Sequence, residues 1–128
     1  MIMKNIVFIL FSIVFLSCDP QYDTTFIIKN ATIDTVNVIF HSSVNDTVQI
    51  KPNSEYILLH DSGMSGGPSK LSLEENDSIS VLKNDEIYIF HRDSSSIDQI
   101  YYMDNWTEDK SGKHNYKYTY IIDNELFE

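Results

Sequence analysis

The sequence predicts an all-β protein, an antiparallel β-sandwich of immunoglobulin-like architecture with about seven strands, and a β-barrel is the main alternative. Three observations lead to this prediction. From residue 25 onward, apolar residues recur at every second position in short runs, the period that places one face of a strand in a core. Turn-forming residues separate these runs at intervals of roughly ten residues, and no stretch keeps the period of an amphipathic helix. The 128 residues suffice for one domain, which we assign to residues 25–128.

Seven runs carry the strand pattern. Each is short and contains β-branched or aromatic residues, which favour strands. The predicted strands are residues 25–30 (TFIIKN), 35–41 (TVNVIFH), 47–50 (TVQI), 55–60 (EYILLH), 78–83 (SISVLK), 86–91 (EIYIFH) and 115–122 (NYKYTYII). Two longer stretches, 61–70 and 93–112, are predicted to be irregular.

The alternation also predicts which residues face the core. In the second strand, Val36, Val38 and Phe40 share one face. The same reasoning predicts that the core-facing residues of the fifth and sixth strands are Ile79, Val81, Ile87 and Ile89. Asn84 and Asp85 separate the fifth and sixth strands, and they predict a two-residue hairpin turn because both residue types tolerate a positive φ.

Residues 1–17 are predicted to be a secretory signal peptide rather than part of the fold. Lys4 precedes the unbroken apolar stretch IVFILFSIVFL, which is too short to span a bilayer, and the small residue Ser17 follows it. This predicts export from the cytoplasm.

The only cysteine of the chain, Cys18, comes directly after that stretch. The run Phe15-Leu16-Ser17-Cys18 resembles the lipobox of bacterial lipoproteins, although that family has Leu where Phe15 stands and Gly or Ala where Ser17 stands. The resemblance implies cleavage before Cys18 and acylation of its new N-terminus. Each buried methylene contributes about 0.8 kcal/mol, so several acyl chains would hold the protein on a membrane.

Residues 18–24 are predicted to be a lipidated tether, because Pro20 breaks regular structure and apolar periodicity is missing. Asp19 resembles the inner-membrane retention signal of enterobacterial lipoproteins. Asp19 and Asp23 together resemble the acidic surface-export signal of Bacteroidetes lipoproteins. We therefore expect a location in the cell envelope, on the periplasmic or the surface side.

The charge is strongly acidic, with 19 acidic and 9 basic residues and a net charge of -10. Loss of residues 1–17, which contain one basic residue, Lys4, and no acidic one, makes it -11. This argues against a nucleic-acid partner, since phosphate binding needs a basic stripe. One cysteine cannot form an internal disulfide or a cysteine-based zinc site.

No catalytic residue, cofactor or metal site is predicted. Residues 63–67 (GMSGG) satisfy the letters of the Gly-x-Ser-x-Gly nucleophile motif, but Pro68 follows and no helical pattern comes after it. No two histidines have metal-ligand spacing. His41, His60 and His91 end predicted strands, so they would converge at one end of the sandwich if those strands run the same way.

Aromatic residues are the most suggestive candidates for ligand binding. Tyr116, Tyr118 and Tyr120 alternate on the last predicted strand and share one face. Three further rings come just before this strand, Tyr101, Tyr102 and Trp106. If exposed, these rings would form a stacking surface for sugars, and if buried, they would be packing residues of the core.

Four Asp-Ser/Thr pairs resemble the O-glycosylation sequon of Bacteroidetes. The hydroxyl residues concerned are Thr24, Thr35, Thr47 and Ser78. An Asp in a turn followed by a β-branched strand residue is also common in sandwiches, so the pattern has a purely structural explanation as well.

The lipobox, the composition and the ending NYKYTYIIDNELF resemble the small lipoproteins of Bacteroidetes, in which a Tyr-Thr-Tyr strand and an acidic tail close a β-sandwich. The resemblance implies no activity. We expect a membrane-anchored, non-enzymatic binding or assembly module whose partner is an envelope protein or a glycan. The alternative is a glycan-binding accessory lipoprotein that uses an exposed aromatic face.

Overall fold

A computed structural model describes residues 21–63, 68, 70–73, 75–93 and 99–128. The predicted signal peptide, Cys18 and four residues of the GMSGG motif lie outside these ranges. Within them, no helix is long and apolar enough to cross a membrane.

The described chain forms eight strands and two short 3-10 helices. The strands are β1 (Tyr22–Asn30), β2 (Val36–His41), β3 (Asp46–Ile50), β4 (Glu55–Gly63), β5 (Ser78–Lys83), β6 (Glu86–His91), β7 (Thr107–Ser111) and β8 (Asn115–Ile122). The 3-10 helices are Met103–Asn105 and Asn124–Phe127. All seven predicted strands are present, and β1 begins at Tyr22, inside the segment predicted to be a tether.

The strands form two four-stranded sheets, in the orders β4-β1-β8-β7 and β3-β2-β5-β6. Their inner faces enclose one core, so the predicted all-β sandwich is confirmed. Among the described residues every strand pair is antiparallel except β1 and β8, which run parallel with Phe26 opposite Tyr118. The first and last of the described strands therefore lie side by side in the middle of one sheet.

Strand β7 corrects the sequence prediction, which left residues 93–112 irregular. All five of its residues are exposed, and none is apolar. It pairs antiparallel with β8 from Thr107 opposite Thr119 to Ser111 opposite Asn115. Backbone hydrogen bonds to its neighbour, rather than burial of side chains, make this segment a strand.

The core residues of β2 and β5 are those the alternation predicted. Val36, Val38, Ile79 and Val81 are fully buried, and Phe40 is 8% exposed.

In β6 the prediction is wrong, because both faces of this strand are apolar. Ile87 and Ile89 are 58% and 42% exposed, whereas Phe90 is buried and Tyr88 packs against the core. The larger aromatic side chains fill the inter-sheet space and leave the isoleucines on the outer face.

The hairpin predicted between β5 and β6 is present. Lys83 pairs with Glu86 across a two-residue turn, and Asn84 adopts a φ of 53°. Asn reaches this left-handed region at lower cost than most residues, which explains its place in the turn.

Candidate binding cleft

Two of the predicted ligand-binding aromatics are core residues. Trp106 and Tyr120 are each 6% exposed, and their ring centroids lie 5.6 Å apart. The indole N–H of Trp106 donates to the carbonyl oxygen of Ile100 at 2.8 Å, which satisfies its one polar group inside the protein. Of the two alternatives that the sequence left open, these two residues follow the packing one, because Tyr120 points between the sheets and Trp106 packs against it.

Tyr116 and Tyr118 are half-buried and stack on other rings. Their centroids are 6.5 Å apart with nearly parallel planes, Tyr22 stacks on Tyr116 at 6.2 Å, and Phe26 stacks on Tyr118 at 5.0 Å. The ammonium of Lys110 lies 5.2 Å from the Tyr116 ring centroid. Protein groups therefore already occupy ring faces that a sugar would need, and packing is the role that this geometry favours.

Tyr101 and Tyr102 belong to a second, smaller cavity. They line a cavity of about 180 Å³ together with Leu71, Leu73 and Arg92, among others. The Tyr101 hydroxyl donates to a backbone carbonyl oxygen, that of Asn76, at 3.1 Å. The structure thus does not bring the six predicted aromatics into one surface.

The four hydroxyl residues of the glycosylation-like pattern differ in accessibility. Thr24 is fully buried on the inner face of β1, Thr35 and Ser78 are half-buried, and Thr47 is exposed on β3. Of these four residues, only Thr47 is exposed in the folded domain. Burial at Thr24 is incompatible with a glycan on the folded chain.

The histidines gather at one end of the sandwich. His41 and His91 end β2 and β6, which both pair antiparallel with β5 and so run the same way. At the same end of the other sheet, the ring Nδ1 of His60 lies 2.8 Å from the Thr25 hydroxyl, and His114 precedes β8. In the part of the chain that the structure describes, no group of three potential ligands could hold a metal ion.

A larger cleft lies between the edge strands β6 and β7, where the two sheets separate. Its volume is about 490 Å³, within the range usual for ligand sites. The lining residues are Tyr88, Asn105, Thr107, Tyr120, Ile121, Asp123, Glu125, Leu126 and Glu128. We call this the terminal cleft.

Aromatic rings anchored in the core form the inner wall of the terminal cleft. Tyr88 packs edge-on against Phe90 with centroids 4.8 Å apart, and Phe90 packs edge-on against Tyr120 at 5.8 Å. Ile121, which is 45% exposed, and Leu126 add aliphatic surface. The wall of the cleft therefore combines aromatic and aliphatic groups with polar side chains.

Carboxylates form the rim of the terminal cleft. Asp123 accepts a hydrogen bond from the backbone N–H of Glu125 at 3.1 Å and so caps the 3-10 helix Asn124–Phe127. Glu125 and Glu128 are exposed on that segment. None of the nine lining residues is basic.

The basic residue Lys83 fixes the segment that carries this rim. Its ammonium lies 3.0 Å from a carboxylate oxygen of Glu86 and 4.4 Å from the ring centroid of Phe127, and it donates to the side-chain oxygen of Asn124 at 3.1 Å. Lys83 is largely buried, so these contacts satisfy a charge that water does not reach freely. The 3-10 helix is thereby held against the β5–β6 hairpin.

Sequence reasoning missed the terminal cleft. It treated residues 123–128 as an acidic tail that closes the sandwich. The available signal was the cluster of acidic residues directly after an aromatic strand. This cluster indicates a charged edge beside the rings only once the strand is placed in the fold.

The comparisons with known proteins add no further information about function. No protein family model, no curated protein and no solved structure matches the chain.

Proposed function

We propose that this protein is a non-enzymatic binding module of the cell envelope, anchored by lipid on Cys18, and that the terminal cleft is its binding site. The observation that carries the proposal is the cleft itself, a hollow of about 490 Å³ that has core-anchored aromatic rings in its wall and carboxylates among its lining residues. Hollows of this size that bring apolar surface and polar groups together are typical of ligand sites.

The position of the cleft suits a lipid anchor at Cys18. From Cys18 to Tyr22, where β1 begins, the chain spans at most about 14 Å, so this end of the sandwich would lie close to the membrane. Strand β8 runs parallel to β1, with Asn30 opposite Ile122. The rim at Asp123 therefore lies about 25 Å farther from the membrane, at the accessible end of the domain.

The glycan-binding alternative finds less support in the geometry. It needs exposed ring faces, whereas Trp106 and Tyr120 are buried and Tyr116 and Tyr118 stack inside a run of protein rings. We therefore favour a protein partner at the terminal cleft over a sugar at the aromatic residues of β8.

Site-specific photo-crosslinking in native envelopes tests the binding site. A photoreactive residue at Ile121, in the cleft wall, should capture a discrete partner. The matched control is the same residue at Val44, which is 76% exposed in the β2–β3 connection, at the other end of the sandwich. Capture of the same set of proteins from both positions, or of none from Ile121, would refute the proposal that an envelope partner binds at the terminal cleft.

The anchor requires its own test. Cys18→Ala should move the protein from the membrane fraction to the soluble fraction after cell lysis and should abolish metabolic labelling with a fatty acid. Membrane association that is unchanged in this variant would show that Cys18 is not the attachment point.

A further inference from the structure

The walls of the terminal cleft combine two kinds of surface. Tyr88 and Leu126 offer ring and aliphatic surface, Ile121 adds an exposed aliphatic side chain, and Asp123, Glu125 and Glu128 contribute carboxylates. A long side chain with an apolar stem and a cationic head matches both, since the stem would lie along the apolar wall while the head meets the carboxylates. Lysine and arginine are the side chains of this kind.

The negative charge of the rim lacks a basic partner within the cleft. No lining residue is basic, and the nearby Lys83 already contacts Glu86, Asn124 and Phe127. A cationic group entering the cleft would gain charge-assisted hydrogen bonds without displacing an internal ion pair at the rim. The Tyr88 ring offers it a cation–π contact in addition.

The location of the cleft points to a polypeptide as the source of the cation. The cleft lies between β6 and β7, which are edge strands of the two sheets in the described part of the chain. A partner chain can approach along an edge strand and can present one side chain to the hollow. A net charge of -10 also favours encounter with a basic partner.

Building on the proposed function, we propose that the terminal cleft binds an arginine or lysine side chain projecting from a basic segment of a partner protein. Arginine suits it best, because its flat guanidinium stacks on a tyrosine ring and bridges two carboxylates.

A peptide titration with the full chain in an uncharged detergent tests this inference. The probe is an end-capped pentapeptide, Gly-Ser-Arg-Ser-Gly, with three counterparts that carry Lys, citrulline or Glu in place of Arg. The side-chain methyl NMR signals of Ile121 and Leu126 report on the cleft, and that of Ile33, which is 83% exposed in the β1–β2 connection, serves as the reference.

The Arg and Lys peptides should shift the two cleft signals saturably and leave the reference unchanged. Citrulline, which has the shape of arginine without its charge, should bind about tenfold more weakly or worse. The double variant Glu125→Gln/Glu128→Gln should lose a similar factor. The matched control Asp46→Asn/Asp109→Asn removes the same charge from exposed positions outside the cleft and should bind normally.

Equal binding of the Arg and citrulline peptides, an equal loss in both double variants, or absence of saturable shifts would overturn the inference. Spermidine that binds as tightly as the Arg peptide would overturn the assignment to a polypeptide.

Crosslinking at Ile121 distinguishes a failure of this inference from a failure of the proposed function. Capture of a partner without binding of Arg or Lys peptides refutes only the cationic ligand, whereas peptide binding without a captured partner refutes only the envelope-binding role.

Discussion

The ring of Tyr118 lies over the ring of Phe26, with centroids 5.0 Å apart and planes inclined by 16°. The two residues are opposite each other in the parallel pair of β1 and β8. Trp106 packs edge-on against Phe26 at 5.9 Å and contacts Tyr120 at 5.6 Å. The aromatic residues of β8 therefore bind the last strand to the first, and through Trp106 they connect to the segment before β7.

Replacing Tyr118 by Ala should destabilise the fold by about 2 kcal/mol, less than for a fully buried aromatic residue because Tyr118 is half-buried. Urea denaturation followed by circular dichroism measures the change. The control Tyr102→Ala, at a residue that is 45% exposed, should cost about 0.5 kcal/mol. Equal losses in both variants would mean that the Phe26 stack contributes no more than an exposed ring does.

The alternation of apolar residues identified strands well and identified core faces only where one face is polar. In β2 the outward positions include Asn37 and His41, so the buried face was unambiguous. In β6 the pattern Ile87-Tyr88-Ile89-Phe90 is apolar on both faces. Which face is buried there depends on whether rings or isoleucines fill the space opposite β8, and that space is defined by another part of the chain.

Strand β7 and the terminal cleft could not be predicted because their causes are not local. The segment Thr107–Ser111 has no apolar residue, and its strand conformation depends on pairing with β8. The cleft joins residues as far apart in sequence as Tyr88 and Glu128. The position of the 3-10 helix that forms its rim depends on Lys83, whose contacts with residues 124–127 no local pattern reveals.

Asn30 is fully buried at the end of β1, and all of its side-chain contacts are internal. Its amide donates to the carbonyl oxygens of Asp34 and Ile50, at 2.7 and 3.0 Å. Its oxygen accepts from the backbone N–H and the hydroxyl of Thr32, at 2.9 and 2.8 Å. Asn30→Ala leaves these groups without their partner, so we expect a loss of about 3 kcal/mol in the free energy of unfolding.

Thermal and urea denaturation would measure the Asn30 effect. Asn115→Ala, at an exposed position of β8, is the control and should change stability by less than about 0.5 kcal/mol. A loss at Asn30 no larger than at Asn115 would contradict the structural role of the buried amide.

Lys83→Ala should release the 3-10 helix Asn124–Phe127 before it affects the rest of the fold. The variant loses the contacts to Asn124, Glu86 and the Phe127 ring, and we expect a destabilisation of about 2 kcal/mol. Hydrogen exchange should accelerate most in residues 124–128. The control is Lys117→Ala, which breaks only the half-exposed ion pair between Lys117 and Glu55 at 3.7 Å. It should change the free energy of unfolding by about 0.5 kcal/mol or less and should not accelerate hydrogen exchange in residues 124–128.

Burial raises the pKa of Tyr101 to about 12, with the Asp77 carboxylate adding to the rise and Arg92 opposing it. An unfolded tyrosine ionises near pH 10, so between pH 10 and 12 the unfolded chain holds fewer protons than the folded one. The free energy of unfolding should therefore fall as the pH rises through this window, and below it the contribution of Tyr101 should not change with pH. Tyr101→Phe removes the hydrogen bond to the Asn76 carbonyl oxygen and should lower the free energy of unfolding by about 1 kcal/mol near neutral pH. Above pH 10, the free energy of unfolding of this variant should fall less steeply with pH than that of the wild type. Urea denaturation at pH 8, 10 and 12 compares the two slopes, and identical slopes would show that the Tyr101 hydroxyl does not retain its proton through folding.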